Sequence, residues 1–502
     1  MASLSSVFKA YDVRGVVPDE LDERACRAIG RAFAAFAAAP RILVARDMRS
    51  SGVKLAAAFA EGACSTGTQV VDLGLASTDL LYFASGRLDA PGAMFTASHN
   101  PARYNGIKLC LAGAKPVGEE TGLREIRARA ESFIDSGEDT ADPAAHAAQV
   151  DPAAHAAQVD PAAHAAQVEH RDMLAEFAAH VRSFVDVDKL RPLKVVADVA
   201  NGMGGLVVPA VFEGLPFDLE ILYPELDGTF PNHPADPIQP ANLADLIATV
   251  KLRHADVGLA FDGDADRVFL VDEHAEPVSG SLTTALVARA MLRKHPGATV
   301  LHNLICSKVV PETILENGGV PVRTRVGHSF IKQVMAQTNA VFGGEHSGHY
   351  YFRDNYRADS GLIAALVVLE EMSATSSSLS ELLSPLRRYA ASGERNTEVP
   401  DPAGTVEAVA GLLAARGTRI DRTDGLSVDN GDWWFNIRPS NTEPLLRLNV
   451  EAATPEECER RVSEVLALVA RAKVDGSTFS DGEGHSRPEE SRPGESRPEE
   501  RT

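Results

Sequence analysis

The sequence predicts an α/β protein of several domains, and three observations carry that expectation. Strand-like and helical patterns alternate through the first two-thirds of the chain. Hydrophobic residues make up 44% of the composition and charged residues 24%, the balance of a chain with an ample core. The 502 residues correspond to roughly three or four domains.

In chain order, LDERACRAIGRAFAAFAAA (residues 21–39) has helical periodicity, and RILVAR (41–46) reads as a buried strand. VKLAAAFAEGACSTG (53–67) is a helix ending near a glycine, and QVVDLGL (69–75) is the next strand. The alternation resumes at LKVVADV (193–199), DVGLAF (256–261) and ATVLHNLI (298–305), implying α/β layers with a largely parallel sheet. A shorter αβ segment runs from about residue 389 to 473.

Two stretches stand apart. DPAAHAAQV occurs three times in tandem from Asp142 to Val168 and reads as a linker. Each copy could form a short helix with Asp as N-cap and Pro in the first turn. Its histidines, His146, His155 and His164, do not suit a metal site, because nine residues at about 100° each turn successive rings to opposite faces. From Asp475 onward the chain is Gly-, Ser- and SRPEE-rich, with eight acidic and four basic residues, and is expected to be disordered.

Net charge and cysteine usage exclude several classes. A formal charge of −21 disfavours nucleic acid or an anionic membrane as the main partner. No signal peptide or membrane-length apolar run is visible. Cys26, Cys64, Cys110, Cys306 and Cys458 are odd in number and scattered, which suits reduced thiols in a cytoplasm.

Four motifs carry chemistry. MFTASHNP (94–101) ends an apolar strand in a Ser-His-Asn-Pro turn, either plain turn chemistry or a nucleophilic Ser98 at a strand end. FDGDADRVFLVD (261–272) alternates Asp262, Asp264 and Asp266, so that their carboxylates can wrap one hard cation. An EF-hand reading fails on Arg267 at the sixth position and on strand-like flanks, although Glu273 falls at the twelfth. VFGGEHSGHYYF (341–352) places Glu345, His346, Ser347 and His349 on a Gly-rich turn suited to sugar hydroxyls, though alone it is only a plausible loop. FNIRPSNTEPLLRLNVEA (435–452) sets one guanidinium and three short polar side chains in a turn, as a phosphate clamp does. Taken alone, a polar hairpin turn explains it better. NGMGG (201–205) is a false lead: a dinucleotide fingerprint would need glycine where Val207 stands.

TASHNP, DGDADR, GEHSGH and RPSNTEP, in that order, resemble the α-D-phosphohexomutases, and most closely the bacterial phosphomannomutase/phosphoglucomutase group. The likeness runs from FKAYDVRG (8–15) to about residue 473, leaving out the repeat and the tail. It implies four domains around one cleft: three α/β domains with mixed sheets and a smaller αβ domain of TATA-binding-protein-like topology. The expected boundaries are 1–141, the repeat linker 142–168, 169–278, 279–388, 389–473 and the tail 474–502.

The same resemblance assigns roles. Ser98 becomes the phosphoserine, and Asp262, Asp264, Asp266 and an oxygen of that phosphoserine hold Mg²⁺. Arg14 and Arg267 supply positive charge, and His99, Lys108 and His349 are candidates for proton transfer, with the base among them left open. Lys108 would serve as base only if burial or neighbouring cations lowered its pKa. Glu345 and Ser347 would take sugar hydroxyls, His328 and Lys332 belong to another loop of the third domain, and Arg438, Ser440, Asn441 and Thr442 would clamp the unreacting phosphate. The implied activity moves a phosphoryl group between C1 and C6 of a hexose phosphate, with glucose or mannose 1,6-bisphosphate as activator. The implied protein is a cytoplasmic monomer or weak homodimer. The alternatives are a phosphoglucosamine mutase, which the His346 of GEHSGH disfavours, a silent sugar-phosphate-binding paralogue, and a simple phosphatase.

Overall fold

RILVAR forms the strand Arg41–Arg46 with its four central residues buried, and helices flank it on both sides in sequence. In the computed structural model, which describes residues 4–137, 168–440 and 445–477, the chain makes two compact units, Met1–Tyr389 and Ala390–Thr502. The repeat up to residue 167 and the tail from 478 lie outside the described residues.

Among the described residues the first unit contains three sheets. The first runs Val13–Val16, Tyr104–Leu111, Gly92–Phe95, Arg41–Arg46, Gln69–Leu75, Val168–His170, with Lys115–Pro116 paired to Tyr104–Leu111. Its centre is parallel, but Gly92–Phe95 and Tyr104–Leu111 form an antiparallel hairpin. Val168–His170, at the end of the repeat, adds a parallel strand at the edge, so the first sheet draws on chain from both sides of that insertion. The second sheet runs Pro277–Val278, Val268–Asp272, Val257–Phe261, Leu193–Asp198, Phe217–Leu222, and the third Val320–Thr324, Thr299–Asn303, Phe342–Gly344, Tyr350–Phe352. Both are mixed, parallel strands ending in an antiparallel hairpin, whereas the sequence pattern alone suggested largely parallel sheets. Buried apolar side chains on one face of each of the three sheets merge into one cluster, which also takes in the helix Gly361–Thr375, while the opposite faces pack separate clusters. From Gly361 to Leu369 that helix is apolar all round, as burial on every face requires.

The second unit is an antiparallel sheet covered by the helices Pro402–Ala414 and Pro455–Ser477. The last helix reaches Ser477, slightly beyond the boundary expected at residue 473, because no proline or glycine interrupts it between Pro455 and Val474. Among the described residues, no single helix is long and apolar enough to cross a membrane.

One rule places the chemistry. In each sheet of the first unit the motif is the turn of an antiparallel hairpin: residues 96–103 between Gly92–Phe95 and Tyr104–Leu111, 262–267 between Val257–Phe261 and Val268–Asp272, and 345–349 between Phe342–Gly344 and Tyr350–Phe352. In the second unit Arg438 and Ser440 stand at the end of the antiparallel pair Trp434–Pro439 and Leu445–Ala452, and residues 441–444 lie outside the described residues. In the first unit each turn leaves the carboxyl end of a strand with a parallel partner, where α/β sheets present their ligands.

Candidate active site

The three turns of the first unit meet. Backbone pairing joins Arg267 to His349, and the Val268 N–H donates to the Gly348 carbonyl, which ties the aspartate turn to the GEHSGH turn. Gly263 lies against the Ser98 turn so closely that a Cβ there would stand 2.4 Å from the Ser98 carbonyl oxygen, which only glycine permits.

Ser98 is 3% exposed and adopts a left-handed backbone, φ +50°, rare for a residue with a side chain. Its N–H donates to Thr96 Oγ1 at 2.9 Å, and its Oγ donates to Asp262 Oδ2 at 2.7 Å. The Arg267 guanidinium donates to the same Oγ at 2.7 Å and also to His99 Nδ1, which lies 3.3 Å from Ser98 Oγ. Burial first, then the Arg267 and Arg14 charges, hold His99 well below the usual histidine range. Its ring is therefore neutral at neutral pH, with Nδ1 as the accepting atom. Arg14 reaches the same turn through Asn100 Oδ1 at 2.9 Å and pairs with Asp12 at 2.5 Å.

Asp262, Asp264 and Asp266 are buried, and one oxygen from each falls within 4.8 Å of the others. Two cations face them. Lys108 Nζ donates to Asp264 Oδ2 at 2.7 Å and to Asp266 Oδ2 at 2.6 Å, and Arg267 Nε donates to Asp262 Oδ2 at 2.9 Å. Burial alone would depress Lys108, but the two carboxylates overturn that and hold its pKa well above the ordinary value. Lys108 therefore stands here as an ammonium, not as the lowered-pKa lysine that base catalysis requires. Burial next to two like charges pushes Asp262 well up in spite of Arg267, whereas Lys108 outweighs burial and holds Asp264 down. The Oδ1 atoms of Asp264 and Asp266 are buried without a hydrogen-bond partner. Three carboxylates against two cations, with two orphan oxygens, fit a divalent metal with oxygen ligands.

Glu345 is 2% exposed, and its oxygens accept from Tyr351 Oη at 2.6 Å and Asn303 Nδ2 at 3.0 Å. Ser347 Oγ lies 3.1 Å from His349 Nδ1, and His349 Nε2 stands 3.6 Å from Asp266 Oδ1 and 3.9 Å from Asp359 Oδ2. Lys332 is buried, 2.8 Å from Asp359 Oδ1 in a pairing without hydrogen-bond geometry, and its Nζ sits over the Tyr82 ring. His328 Nδ1 is buried without a partner, and burial followed by the Lys332 charge holds that ring well below the usual histidine range.

In the second unit Arg438 and Arg447 stand opposite each other on paired strands and share Glu394, at 3.1 and 3.3 Å. Ser440 Oγ accepts from Arg447 at 3.5 Å. Asn441 and Thr442 lie outside the described residues.

Several contributors carried no local signal in the sequence. Thr78, at the start of the helix Thr78–Leu88, donates its hydroxyl to Asp264 Oδ2 at 2.5 Å, and its N–H donates to the Asp264 carbonyl. Arg447 and Arg49 likewise act on residues about fifty positions away in sequence, and Asp359 pairs with Lys332 from another loop. The glycines of NGMGG serve the same turn: Met203 N–H donates to the Gly263 carbonyl, and Gly202 packs on it.

Known proteins match the chain along nearly its whole length. Family models for phosphoglucomutase/phosphomannomutase alpha/beta/alpha domains I, II and III match residues 5–134, 175–276 and 279–389, and the model for the C-terminal domain matches 394–468. A protein of Xanthomonas campestris pv. campestris named phosphohexose mutases is 39% identical over 466 residues, covering 91% of this chain and 98% of its own. A phosphomannomutase of Escherichia coli is 37% identical over 471 residues, covering 92% and 98%. The crystal structure of a phosphoglucomutase/phosphomannomutase family protein from Burkholderia thailandensis superposes with a TM-score of 0.81 at 30% identity, covering 94% of this chain and 98% of that one. With all four domains matched and its motifs gathered at the hairpin turns, the chain belongs to the phosphoglucomutase/phosphomannomutase family, a family of phosphohexomutases.

Proposed function

We propose that this chain is a phosphomannomutase/phosphoglucomutase that moves a phosphoryl group between C1 and C6 of a hexose phosphate through phospho-Ser98. One observation carries the reading: Ser98 Oγ sits in hydrogen-bond contact with both Asp262 and Arg267, at the edge of the buried carboxylate trio. A plain turn serine needs neither partner. The naming of the relatives favours the mannose/glucose group over a phosphoglucosamine mutase.

The chain's own residues divide the work. A sugar hydroxyl oxygen attacks the phosphorus on Ser98, the P–Oγ bond breaks, and a 1,6-bisphosphate results. After the sugar turns round, Ser98 Oγ attacks the other phosphate, and the product leaves with the phosphate moved. His99 Nδ1, the acceptor on a neutral ring 3.3 Å from Ser98 Oγ, is placed to take the serine proton when Ser98 attacks. His349, between Ser347 and Asp266, is the matching group for the sugar hydroxyl. Arg267 keeps positive charge beside the reacting oxygen. Glu345, fixed by Tyr351 and Asn303, takes far hydroxyls of the ring, and Arg438 with Ser440, Asn441 and Thr442 holds the phosphate that is not reacting. Asp262, Asp264 and Asp266 would hold Mg²⁺, which when bound supplies charge that offsets the oxygens of the moving group. Hexose 1,6-bisphosphate is the activator, because it rephosphorylates an idle serine. The protein works as a cytoplasmic monomer or weak homodimer.

A coupled assay on mannose 1-phosphate and glucose 1-phosphate, with and without a bisphosphate primer, tests this. Primer-dependent turnover of both is expected. Release of inorganic phosphate without isomerisation would replace the mutase reading with a phosphatase.

A further inference from the structure

The RDMRS stretch after strand Arg41–Arg46 contains an arginine that none of the roles above uses. Arg49 is 1% exposed, and every donor on its guanidinium is engaged. Nε donates to Asp47 Oδ2 at 3.2 Å. The other four contacts end on main-chain carbonyls of the 96–103 turn and the first residue after it: Ser98 at 2.9 Å, Asn100 at 2.7 Å, Pro101 at 2.9 Å and Tyr104 at 3.0 Å. The Asp47 N–H donates to the Phe95 carbonyl, which anchors the base of the fork at the start of the same turn. From the second sheet's side, Phe230 lies over the guanidinium at 5.2 Å, and Gly228 packs against the Arg49 backbone.

We propose that Arg49 is the positioning residue of the nucleophile turn, the group that holds Ser98 in its left-handed conformation with Oγ aimed at the aspartate trio. The proposal rests on the reading of Ser98 as the phosphoryl carrier. A purely structural arginine would spread its bonds over several elements, whereas this one spends four on residues 98–104, including the carbonyl of the strained serine itself. A planar fork can reach four converging carbonyls, and a single ammonium cannot. Releasing the turn lets Ser98 relax and displaces Oγ, and a displacement near 1 Å costs about 100-fold in rate. It also opens the phosphoserine to water, which attacks phosphorus, breaks the P–Oγ bond and leaves the serine hydroxyl behind.

Full-length Arg49→Lys and Arg49→Met are compared with wild type, primed with glucose 1,6-bisphosphate and assayed well below each protein's Tm. Both variants should lose about 100-fold in kcat while KM for glucose 1-phosphate stays within about threefold, because the sugar contacts are untouched. Intact-mass measurement should show their Ser98 phosphate lost to water at least about tenfold faster. Should neither variant fold, Phe230→Leu, which touches no hydrogen bond, should lower kcat several-fold in the same pattern. Wild-type kcat in Arg49→Lys would overturn the geometric argument, since charge alone would then suffice. A rise in KM with kcat unchanged, or lowered Tm with kcat and phosphate lifetime unchanged, would overturn the positioning role. A wild-type protein that turns over with no phosphate on Ser98 would instead sink the reading on which the proposal rests.

Discussion

Lys108→Met removes the ammonium lodged between Asp264 and Asp266 and replaces it with an apolar chain of similar length. The lysine side chain is 9% exposed and contacts Asp264 at 2.7 Å and Asp266 at 2.6 Å, and among the described residues it is the only cation within ion-pair distance of Asp264. Removing one partner of a buried ion pair costs about 3–5 kcal/mol, because the remaining charge is left uncompensated. At roughly 2 °C per kcal/mol for a large domain, Tm should fall by about 6–10 °C in excess EDTA. A divalent cation bound by the same carboxylates restores the missing charge, and a ligand at a hundred times its Kd stabilises by about 2.7 kcal/mol. The variant no longer has an ammonium competing for those oxygens, so saturating Mg²⁺ should raise its Tm more than that of wild type. Thermal melts of both proteins, with EDTA and with Mg²⁺, give the answer directly. A gap between variant and wild type that Mg²⁺ leaves unchanged would refute the claim that lysine and metal answer the same charge deficit.

Asp264→Asn takes one charge from the trio, so calorimetric Mg²⁺ affinity and kcat should both fall while the fold survives; turnover in excess EDTA would rule the metal out. Asp79, buried between the Ser77 and Ser360 hydroxyls, is pushed up to about 7, chiefly by burial. Its unfolded carboxyl ionises near 3.8, so below that pH the site costs nothing, and stability declines as pH rises towards 7, by up to about 4 kcal/mol. Asp79→Asn, melted in EDTA, should therefore gain on wild type between pH 4.5 and 8, and a gap independent of pH would contradict the burial argument. Arg438→Ala should weaken turnover of mannose and glucose phosphates alike, by about 1.5–3 kcal/mol of phosphate contact. The two sugars should differ by less than about tenfold in kcat/KM, or ~1.4 kcal/mol, because they differ only at C2. A defect confined to one sugar would show that C2 is read elsewhere.

What the sequence reveals here is local. RILVAR and QVVDLGL became strands with the bounds their apolar runs suggest, Arg41–Arg46 and Gln69–Leu75, because a buried run between turn residues has few other solutions. The motifs were legible for a related reason: each is a short turn whose residue types declare their chemistry. What joins them is not local. Arg49 serves carbonyls about fifty residues away, Thr78 serves Asp264 from the start of a helix 186 positions before it, and Ser360 serves Asp79 from 281 positions after it. Nothing in a neighbouring residue marks such a partner. The protonation of Lys108 was equally hidden, since it depends on two carboxylates more than 150 positions away. The antiparallel hairpin that ends each mixed sheet escaped a reading based on alternation, because strand direction leaves no trace in hydrophobic period.

The central claim is that Ser98 carries the phosphoryl group, and intact-mass spectrometry of protein incubated with glucose 1,6-bisphosphate tests it most directly. Wild type should gain the mass of one phosphate, mapped to Ser98 by peptide fragmentation, and lose it on addition of excess hexose monophosphate, while Ser98→Ala should gain none and show no turnover. A phosphate found on another residue, or full activity in Ser98→Ala, would contradict the account.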